Sequence, residues 1–166
     1  QTLPEVGGSA YYKLLGILGN TVPKVNAKRA KQTVDSMIKA IDSGCVKACH
    51  DVSEGGLAVA LAEMTFANGL GVDLWLRKVP KPVSLTRDDL VLFSESNSRF
   101  LVEVDKKRTE KFEHLMRDNI CEPVGRVKSE RSFTIHDVND RKLVDADLAK
   151  LRKAWKTPLG ADAYEV

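Results

Sequence analysis

The chain has 166 residues, of which 43% are apolar and 30% charged, and its formal net charge is +3. A chain of this length buries roughly two-thirds of its unfolded surface, so it fits one domain that folds on its own core. The charge is spread along the chain and no apolar run approaches the ~20 residues of a membrane span, so neither nucleic acid nor membrane is indicated as a partner. Three cysteines, an odd number, indicate a reducing compartment with free thiols, and we therefore expect a cytoplasmic protein.

Two helices are predicted in the N-terminal part of the chain. Ser9 is placed to cap a short helix that follows it directly. Asn26 is a good cap for a second helix, in which apolar residues recur at three- and four-residue spacing over positions 27–41. Gly44 suits the position just after the end of that helix.

The central unit is a predicted strand at residues 45–49, a polar turn, and a predicted buried helix at residues 56–68. The strand leads into His50-Asp51, and the turn is Ser53-Glu54-Gly55-Gly56. Glycines let backbone amides approach a ligand closely, and the first turn of a helix offers unpaired N–H groups to an anion. This pattern predicts a phosphate or carboxylate site.

The rest of the chain supplies further strands and helices. We expect a strand at 72–76, a short helix capped by Thr86, a polar run at 94–99, a strand at 100–104, a charged helix at 106–119, strands at 124–127, 132–136 and 141–144, and a last helix at 146–155. The chain thus reads as one domain at residues 1–155 with a loose tail at 156–166. The predicted fold class is α+β, with a mixed sheet covered by helices in α/β/α layers.

Several chemistries can be set aside. Cys45, Cys49 and His50 do not suit one tetrahedral zinc, because residues four apart on a strand are roughly 13 Å apart. No Gly-x-Ser-x-Gly, Walker A or Gly-x-Gly-x-x-Gly sequence is present. Three features remain as candidates for a ligand site. Asp51 is a ligand of the kind that Mg²⁺ prefers, and the 53–56 turn can bind phosphate through its backbone amides. The cluster at 95–97 is a second group of polar side chains that could converge on the same pocket. The alternative is that these polar residues only satisfy turns and caps.

Three blocks of residues are recognisable as a set. The central block is His50-Asp51-Val52-Ser53-Glu54-Gly55-Gly56-Leu57-Ala58-Val59-Ala60; Gly7-Gly8-Ser9 precedes it, and Leu92-Phe93-Ser94-Glu95-Ser96-Asn97-Ser98-Arg99-Phe100 follows it. Over residues 5–155 they resemble the C-terminal domain of phosphoribosylformylglycinamidine synthase, the large synthetase subunit of purine biosynthesis. Aminoimidazole ribonucleotide synthetase, selenophosphate synthetase, thiamin-monophosphate kinase and the hydrogenase-maturation dehydratase share this domain. Their central turns differ, so a related ATP-using synthetase or kinase ranks below as an alternative, as does a non-catalytic structural or auxiliary nucleotide-binding domain. Glu54 stands where the family more often has Asp, which keeps the charge.

The resemblance implies a fold, a reaction and partners. The fold is the C-terminal domain type of the aminoimidazole ribonucleotide synthetase superfamily. The reaction is an ATP-dependent ligation in which formylglycinamide ribonucleotide, ATP and ammonia from glutamine give the formylglycinamidine, ADP and phosphate. The implied cofactors are ATP or ADP with Mg²⁺. The implied partners are an N-type ATP-binding domain of the same full-length chain, a glutaminase subunit and a small accessory subunit.

The resemblance also implies a set of site residues. Asp51 matches a magnesium ligand of the family. The resemblance implies no catalytic residue in this chain. It implies that eleven other residues bind substrate or nucleotide phosphate: Gly7, Gly8, Ser9, His50, Ser53, Gly55, Gly56, Glu95, Ser96, Asn97 and Arg99. The sequence looks like the second, C-terminal half of the synthetase, in which the equivalent pocket is an auxiliary nucleotide site with a structural role. Without its N-type domain the isolated chain is expected to be inactive.

Overall fold

The computed structural model describes residues 1–67 and 69–159. Six α-helices and six strands, in chain order, lie in these ranges: α1 (Ala10–Leu14), α2 (Ala27–Asp42), β1 (Val46–Asp51), α3 (Gly56–Phe66), β2 (Gly71–Trp75), α4 (Asp88–Phe93), β3 (Phe100–Val104), α5 (Thr109–Met116), β4 (Gly125–Lys128), β5 (Ser132–His136), β6 (Lys142–Asp147) and α6 (Leu148–Lys156). Short 3₁₀ helices occur at Leu76–Lys78, Lys106–Arg108 and Thr157–Leu159. None of the described helices is long and apolar enough to cross a membrane.

The strands form two sheets. β1 and β3 pair antiparallel as a two-stranded ribbon, with His50 opposite Leu101. The other sheet has the strand order β4-β2-β5-β6, in which β2 and β5 are parallel and the outer pairs are antiparallel. The predicted α+β class and mixed sheet are therefore confirmed. One sheet is expected from the sequence, whereas the described strands divide into a ribbon and a four-stranded sheet, because within the described residues β1 pairs only with β3.

Two apolar clusters lie on opposite sides of the ribbon. The larger one joins α3, α4 and α6 to the four-stranded sheet, and Leu101 of β3 packs against it. The smaller one joins α2 and α5, and Phe100 and Val102 of β3 pack against it. Successive strand residues point to opposite faces, which explains why neighbours on β3 contact different clusters. The ribbon, whose last residues lead into the predicted site, is thereby held between helices on both sides.

Local sequence signals set most helix ends. Ser9 Oγ accepts a hydrogen bond from the Tyr12 amide at 3.2 Å, and Asn26 Oδ1 accepts one from the Arg29 amide at 3.0 Å, so both predicted caps are confirmed. Gly44 has a φ of +71°, the left-handed conformation expected after the end of α2. The cap predicted at Thr86 is wrong, because α4 begins only at Asp88 and has no side-chain cap.

Several further boundaries differ from the predicted ones; α5, for example, is Thr109–Met116 and not 106–119. β6 continues to Asp147, whose side chain accepts a hydrogen bond from the Lys150 amide at 3.0 Å, so α6 begins two residues later than predicted. α3 ends at Phe66, and its predicted end at position 68 lies outside the described residues. Of the predicted tail, Lys156 is the last residue of α6 and Thr157–Leu159 is a 3₁₀ turn, whereas residues 160–166 lie outside the described part.

A buried carboxylate joins two strands of the four-stranded sheet. Asp73 on β2 accepts hydrogen bonds from Arg126 Nη2 at 2.9 Å and from Lys128 Nζ at 2.6 Å, both on β4. Burial acts to raise the pKa of Asp73, but the hydrogen bonds from Lys128 and Arg126 outweigh it and leave the pKa below its usual value. The charged form of Asp73 therefore stabilises this edge of the sheet.

Asp73→Asn should lower the free energy of unfolding at pH 7 by about 2 kcal/mol, since it weakens charge-assisted bonds to two cations. Because the pKa of Asp73 is depressed in the folded state, its stabilisation is present above the unfolded value of about 3.9 and is lost as pH falls through the folded value. Urea unfolding of the variant should therefore depend less on pH between about 5 and 2. Asp145→Asn, which removes an exposed pair with Lys142, is the control. An equal change in both variants would contradict the prediction.

Candidate functional site

The turn between β1 and α3 is built on two left-handed glycines. Gly55 and Gly56 have φ values of +77° and +66°, and the Gly56 amide donates to the Ser53 carbonyl at 3.0 Å. A Cβ atom at Gly56 would lie 2.6 Å from the carbonyl oxygens of both Leu92 and Ser94. Glycine is therefore required at position 56 by a close backbone approach as well as by φ.

Glu95 connects this turn to the N-terminal block. Its Oε1 atom accepts hydrogen bonds from the amides of Gly55 at 2.9 Å and Ala10 at 3.0 Å. Ala10 is the first residue of α1, directly after Ser9. The structure thus brings the three sequence blocks together around one carboxylate. This carboxylate binds the Gly55 amide, which belongs to the turn predicted to bind an external anion, and the Ala10 amide beside Ser9.

Gly7 and Gly8 hold the N-terminal block against the loop that follows α1. The Gly7 amide donates to the Thr21 carbonyl at 2.9 Å, and the Gly8 amide donates to the Leu18 carbonyl at 2.8 Å. A Cβ atom at Gly7 would lie 2.8 Å from the Thr21 amide nitrogen, whereas one at Gly8 would meet nothing within 4 Å. Gly8 is exposed and has a φ of +72°, so a small open surface adjoins the buried Ser9.

The serines around Glu95 bind the first residues of the chain. Ser96 Oγ accepts a hydrogen bond from the Leu3 amide at 3.0 Å, and Ser94 Oγ donates to the Leu3 carbonyl. The Glu95 amide donates to the Glu5 carbonyl at 3.1 Å. Ser94 and Ser96 are both buried, so this part of the polar run forms the internal framework of the site.

Arg99 completes this framework. Its guanidinium donates to the carbonyls of Ser96 at 2.8 Å and Ser94 at 2.6 Å, and to Thr2 Oγ1 at 3.0 Å. Burial lowers the pKa of Arg99 to about 10, although the carboxylates of Glu5 and Glu95 act in the opposite direction. Arg99 is therefore charged at neutral pH, and its observed contacts fix the loop at residues 94–99.

His50 and Asp51 differ in their surroundings. The His50 Nε2 atom lies 3.1 Å from Glu63 Oε2 on α3, and Trp155 Nε1 on α6 donates to Glu63 Oε1 at 2.8 Å. Asp51 has a side chain that is 67% exposed, with its Oδ1 atom 3.8 Å from His50 Nδ1. The histidine thus ties β1 to two helices, whereas the aspartate is open to solvent.

The outer part of the site is formed by exposed polar residues. Asp51, Ser53 and Asn97 are all exposed. Among the described residues, no group of three or more His, Cys, Asp or Glu side chains is arranged to hold a metal ion. The single exposed carboxylate of Asp51 is the kind of group that could hold Mg²⁺, because this cation is commonly bound by one or two carboxylates together with substrate phosphates.

Two contributors to this framework, Thr2 and Glu5, are not among the predicted site residues. Thr2 accepts from Arg99, and Glu5 Oε1 accepts from the Lys24 amide at 3.2 Å. Both are buried polar residues at the start of the chain, outside any motif. Their partners are 19 to 97 residues away, so no local spacing could have indicated their role.

Comparisons with known proteins identify the same family that the three sequence blocks resemble. The family model described as AIR synthase related protein, C-terminal domain, matches residues 3–138. The chain is 36% identical to the phosphoribosylformylglycinamidine synthase subunit PurL of Thermococcus sibiricus and 41% identical to that of Thermococcus kodakarensis, over 156 residues in each case. Each match covers 94% of this chain and 21% of the relative, so the chain spans about a fifth of the length of these proteins.

Solved structures share the fold. Phosphoribosylformylglycinamidine synthase II of Thermotoga maritima superposes with a TM-score of 0.71 at 19% identity, covering 79% of this chain and 22% of that chain. T. maritima PurL complexed with ATP gives 0.66 at 19% identity, covering 73% and 21%. HypE of Escherichia coli gives 0.61 at 17% identity, covering 83% and 44%. The expected superfamily fold is confirmed, and at these identities the superpositions concern the fold alone.

Proposed function

Because the chain belongs to the family of AIR synthase related proteins, as their C-terminal domain, we propose that it is one domain of a longer phosphoribosylformylglycinamidine synthase. The observation that carries this proposal is the identity of 36% and 41% to two PurL subunits over 94% of the chain. The whole protein would ligate ammonia from glutamine to formylglycinamide ribonucleotide and convert ATP to ADP and phosphate. We call this longer protein the full-length polypeptide.

The partners of the full-length polypeptide are proposed on the same basis. An N-type ATP-binding domain would lie elsewhere in the same polypeptide, since the chain spans only 21% of its relatives. A glutaminase subunit would supply ammonia from glutamine, and a small accessory subunit would be a further member of the synthase complex. A solved T. maritima structure named PurLQS superposes on this chain with a TM-score of 0.69 at 18% identity. This shared fold supports the proposal that the full-length polypeptide works in an assembly with other subunits.

Within the domain, we propose that the exposed rim of the site contacts a nucleotide or substrate phosphate. Ser53, His50, Asn97 and the open Gly8 would form this rim, with Asp51 as a ligand of Mg²⁺. ATP and Mg²⁺ would supply the phosphoryl chemistry when bound. The buried and half-buried members of the predicted set would position the rim: Gly7, Ser9, Gly55, Gly56, Glu95, Ser96 and Arg99.

A second candidate is a non-catalytic domain that completes the fold of the synthase. The observation that favours it is Glu95, whose carboxylate already occupies the Ala10 and Gly55 amides. A negative charge in this position repels a further anion at the same amides. In this case the site would act as an internal joint between the N-terminal block and α3.

The isolated 166-residue chain should not catalyse ammonia-dependent ATP hydrolysis, whereas the full-length polypeptide should. The reason is that about four-fifths of the length of its relatives is absent from it. Phosphate release would be measured with formylglycinamide ribonucleotide, ATP, Mg²⁺ and ammonium, with omission of the ribonucleotide as the control. Turnover by the isolated chain would contradict the fragment proposal. Absence of amidation by the full-length polypeptide would contradict the proposed reaction.

A further inference from the structure

The segment from the last residue of α1 to Val25 exposes an unusual number of large apolar side chains. Six of them lie within residues 14–25, which we call the apolar loop, and their exposed fractions range from 48% to 83%: Leu14, Leu15, Ile17, Leu18, Val22 and Val25. Single exposed apolar residues are normal on soluble proteins, but a concentration of this kind indicates an interaction surface. None of these residues belongs to the candidate site.

The fold holds the apolar loop in one conformation. The amides of Gly7 and Gly8 bind the carbonyls of Thr21 and Leu18, as described above. Gly16 and Gly19 each have a φ of +70°, and a Cβ atom at Gly19 would lie 2.8 Å from the ring of Tyr12. The backbone is therefore pinned to the N-terminal block, and its apolar side chains are displayed by an ordered loop.

The sequence segment that contains the apolar loop carries only basic charges, and the Glu5 carboxylate, which accepts a hydrogen bond from the Lys24 amide, is buried. Residues 6–34 contain no Asp or Glu, and they carry five exposed cationic residues: Lys13, Lys24, Lys28, Arg29 and Lys31. An apolar centre with a basic rim is complementary to a protein surface with an apolar centre and an acidic rim. A symmetric contact with a second copy would instead bring two basic rims together, which is electrostatically unfavourable.

The apolar loop also adjoins the candidate site. The Leu18 carbonyl accepts from Gly8, and Ala10, two residues further on, donates to Glu95. Leu18 is 80% exposed, so a surface that covers it would also lie beside the exposed Gly8. A partner docked here would therefore supply a wall next to the rim of the site.

We infer that the apolar loop is the surface on which the rest of the full-length polypeptide docks, through an apolar patch with an acidic rim. This inference rests on the proposed function, since it takes the chain as one domain of a protein about five times longer. Covalent linkage gives such a neighbouring domain a high effective concentration, so a modest apolar contact suffices. A lipid surface is a poorer match, because α1 has only five residues and the loop is pinned by glycine turns, unlike an amphipathic interfacial helix.

Hydroxyl-radical footprinting tests this inference by comparing side-chain oxidation in the isolated chain and in the full-length polypeptide. Leu14 and Leu18 should be oxidised several-fold less in the full-length polypeptide. Val83, which is 99% exposed and outside the apolar loop, is the internal reference and should react equally in both. Equal oxidation of Leu14 and Leu18 in the two proteins would overturn the inference. This readout needs no catalysis, so an exposed loop in a catalytically active synthase would refute the docking surface and leave the proposed function intact.

Leu18→Asp, with Val83→Asp as the matched control, provides a second test. In the isolated chain neither variant should change the melting temperature, because both side chains are largely exposed. In the full-length polypeptide only Leu18→Asp should lower it and accelerate proteolytic release of this domain. Two results would overturn the inference in favour of another occupant: a dimer of the isolated chain that Leu18→Asp makes monomeric, or binding of the isolated chain to phosphatidylserine vesicles that Leu18→Asp abolishes.

Discussion

Gly56→Ala should destabilise the isolated chain by about 3 kcal/mol, the sum of left-handed backbone strain of about 1 kcal/mol and overpacking of about 2 kcal/mol. The added methyl group would lie 2.6 Å from the carbonyl oxygens of Leu92 and Ser94, so α3 and the end of α4 would have to separate. The clashing atoms belong to the backbone, so no change of side-chain rotamer can relieve the contact. Urea unfolding followed by circular dichroism would measure the loss.

Gly8→Ala is the matched control for this substitution. Gly8 has a φ of +72°, close to the +66° of Gly56, but a Cβ atom there meets nothing within 4 Å. Its cost should therefore be the backbone strain alone, about 1 kcal/mol. Equal losses for the two variants would show that the close approach at Gly56 contributes nothing, contrary to the packing described for the site.

Glu95→Ala should have a comparable effect, about 3 kcal/mol, because it leaves two backbone amides without their charged acceptor. Those amides belong to Gly55 and Ala10, so both the turn before α3 and the start of α1 should loosen. Glu95→Gln keeps an acceptor oxygen at this position and should cost only about 1 kcal/mol. Hydrogen exchange of the Ala10 and Gly55 amides would measure the loosening directly. Unchanged exchange in Glu95→Ala would contradict the bridging role of the carboxylate.

The order of elements and the helix caps could be predicted from the sequence because their causes are local. Ser9 and Asn26 act within three residues, and the glycine turn marks where β1 gives way to α3. Thr86 shows the limit of such signals. Its spacing to Asp89 suggested a cap, but Asp89 instead pairs with Arg87, and α4 starts at Asp88 without any cap.

The architecture of the site depends on contacts that local patterns do not reveal. Glu95 and Ala10 are 85 residues apart, and Ser96 and Leu3 are 93 apart. From the sequence, a polar run such as 94–99 is equally compatible with a ligand site and with an internal framework. The division of the strands into two sheets has the same origin, since strand pairing is decided by long-range packing. The residue types favoured one pocket for the 53–56 turn and the 95–97 cluster, but only the family resemblance indicated that the N-terminal block joins them.

The resulting view of the site has two layers. Its buried layer is an internal joint in which Glu95, Ser96 and Arg99 connect the first ten residues to α3 and β3. Its exposed layer, with Asp51 and Ser53, is the part that remains accessible to a ligand. A phosphate role for the domain therefore depends on the exposed layer.

Hydrogen exchange of residues 50–58 in the full-length polypeptide, with and without ADP and Mg²⁺, tests the proposed site most directly. We predict that ADP with Mg²⁺ protects this segment in the wild type and in Asp42→Asn, an exposed aspartate on α2 that serves as the control. In Asp51→Asn the protection should be lost, because the proposed Mg²⁺ ligand loses its charge. Absence of protection in the wild type, or equal protection in Asp51→Asn, would contradict the assignment and favour the non-catalytic domain.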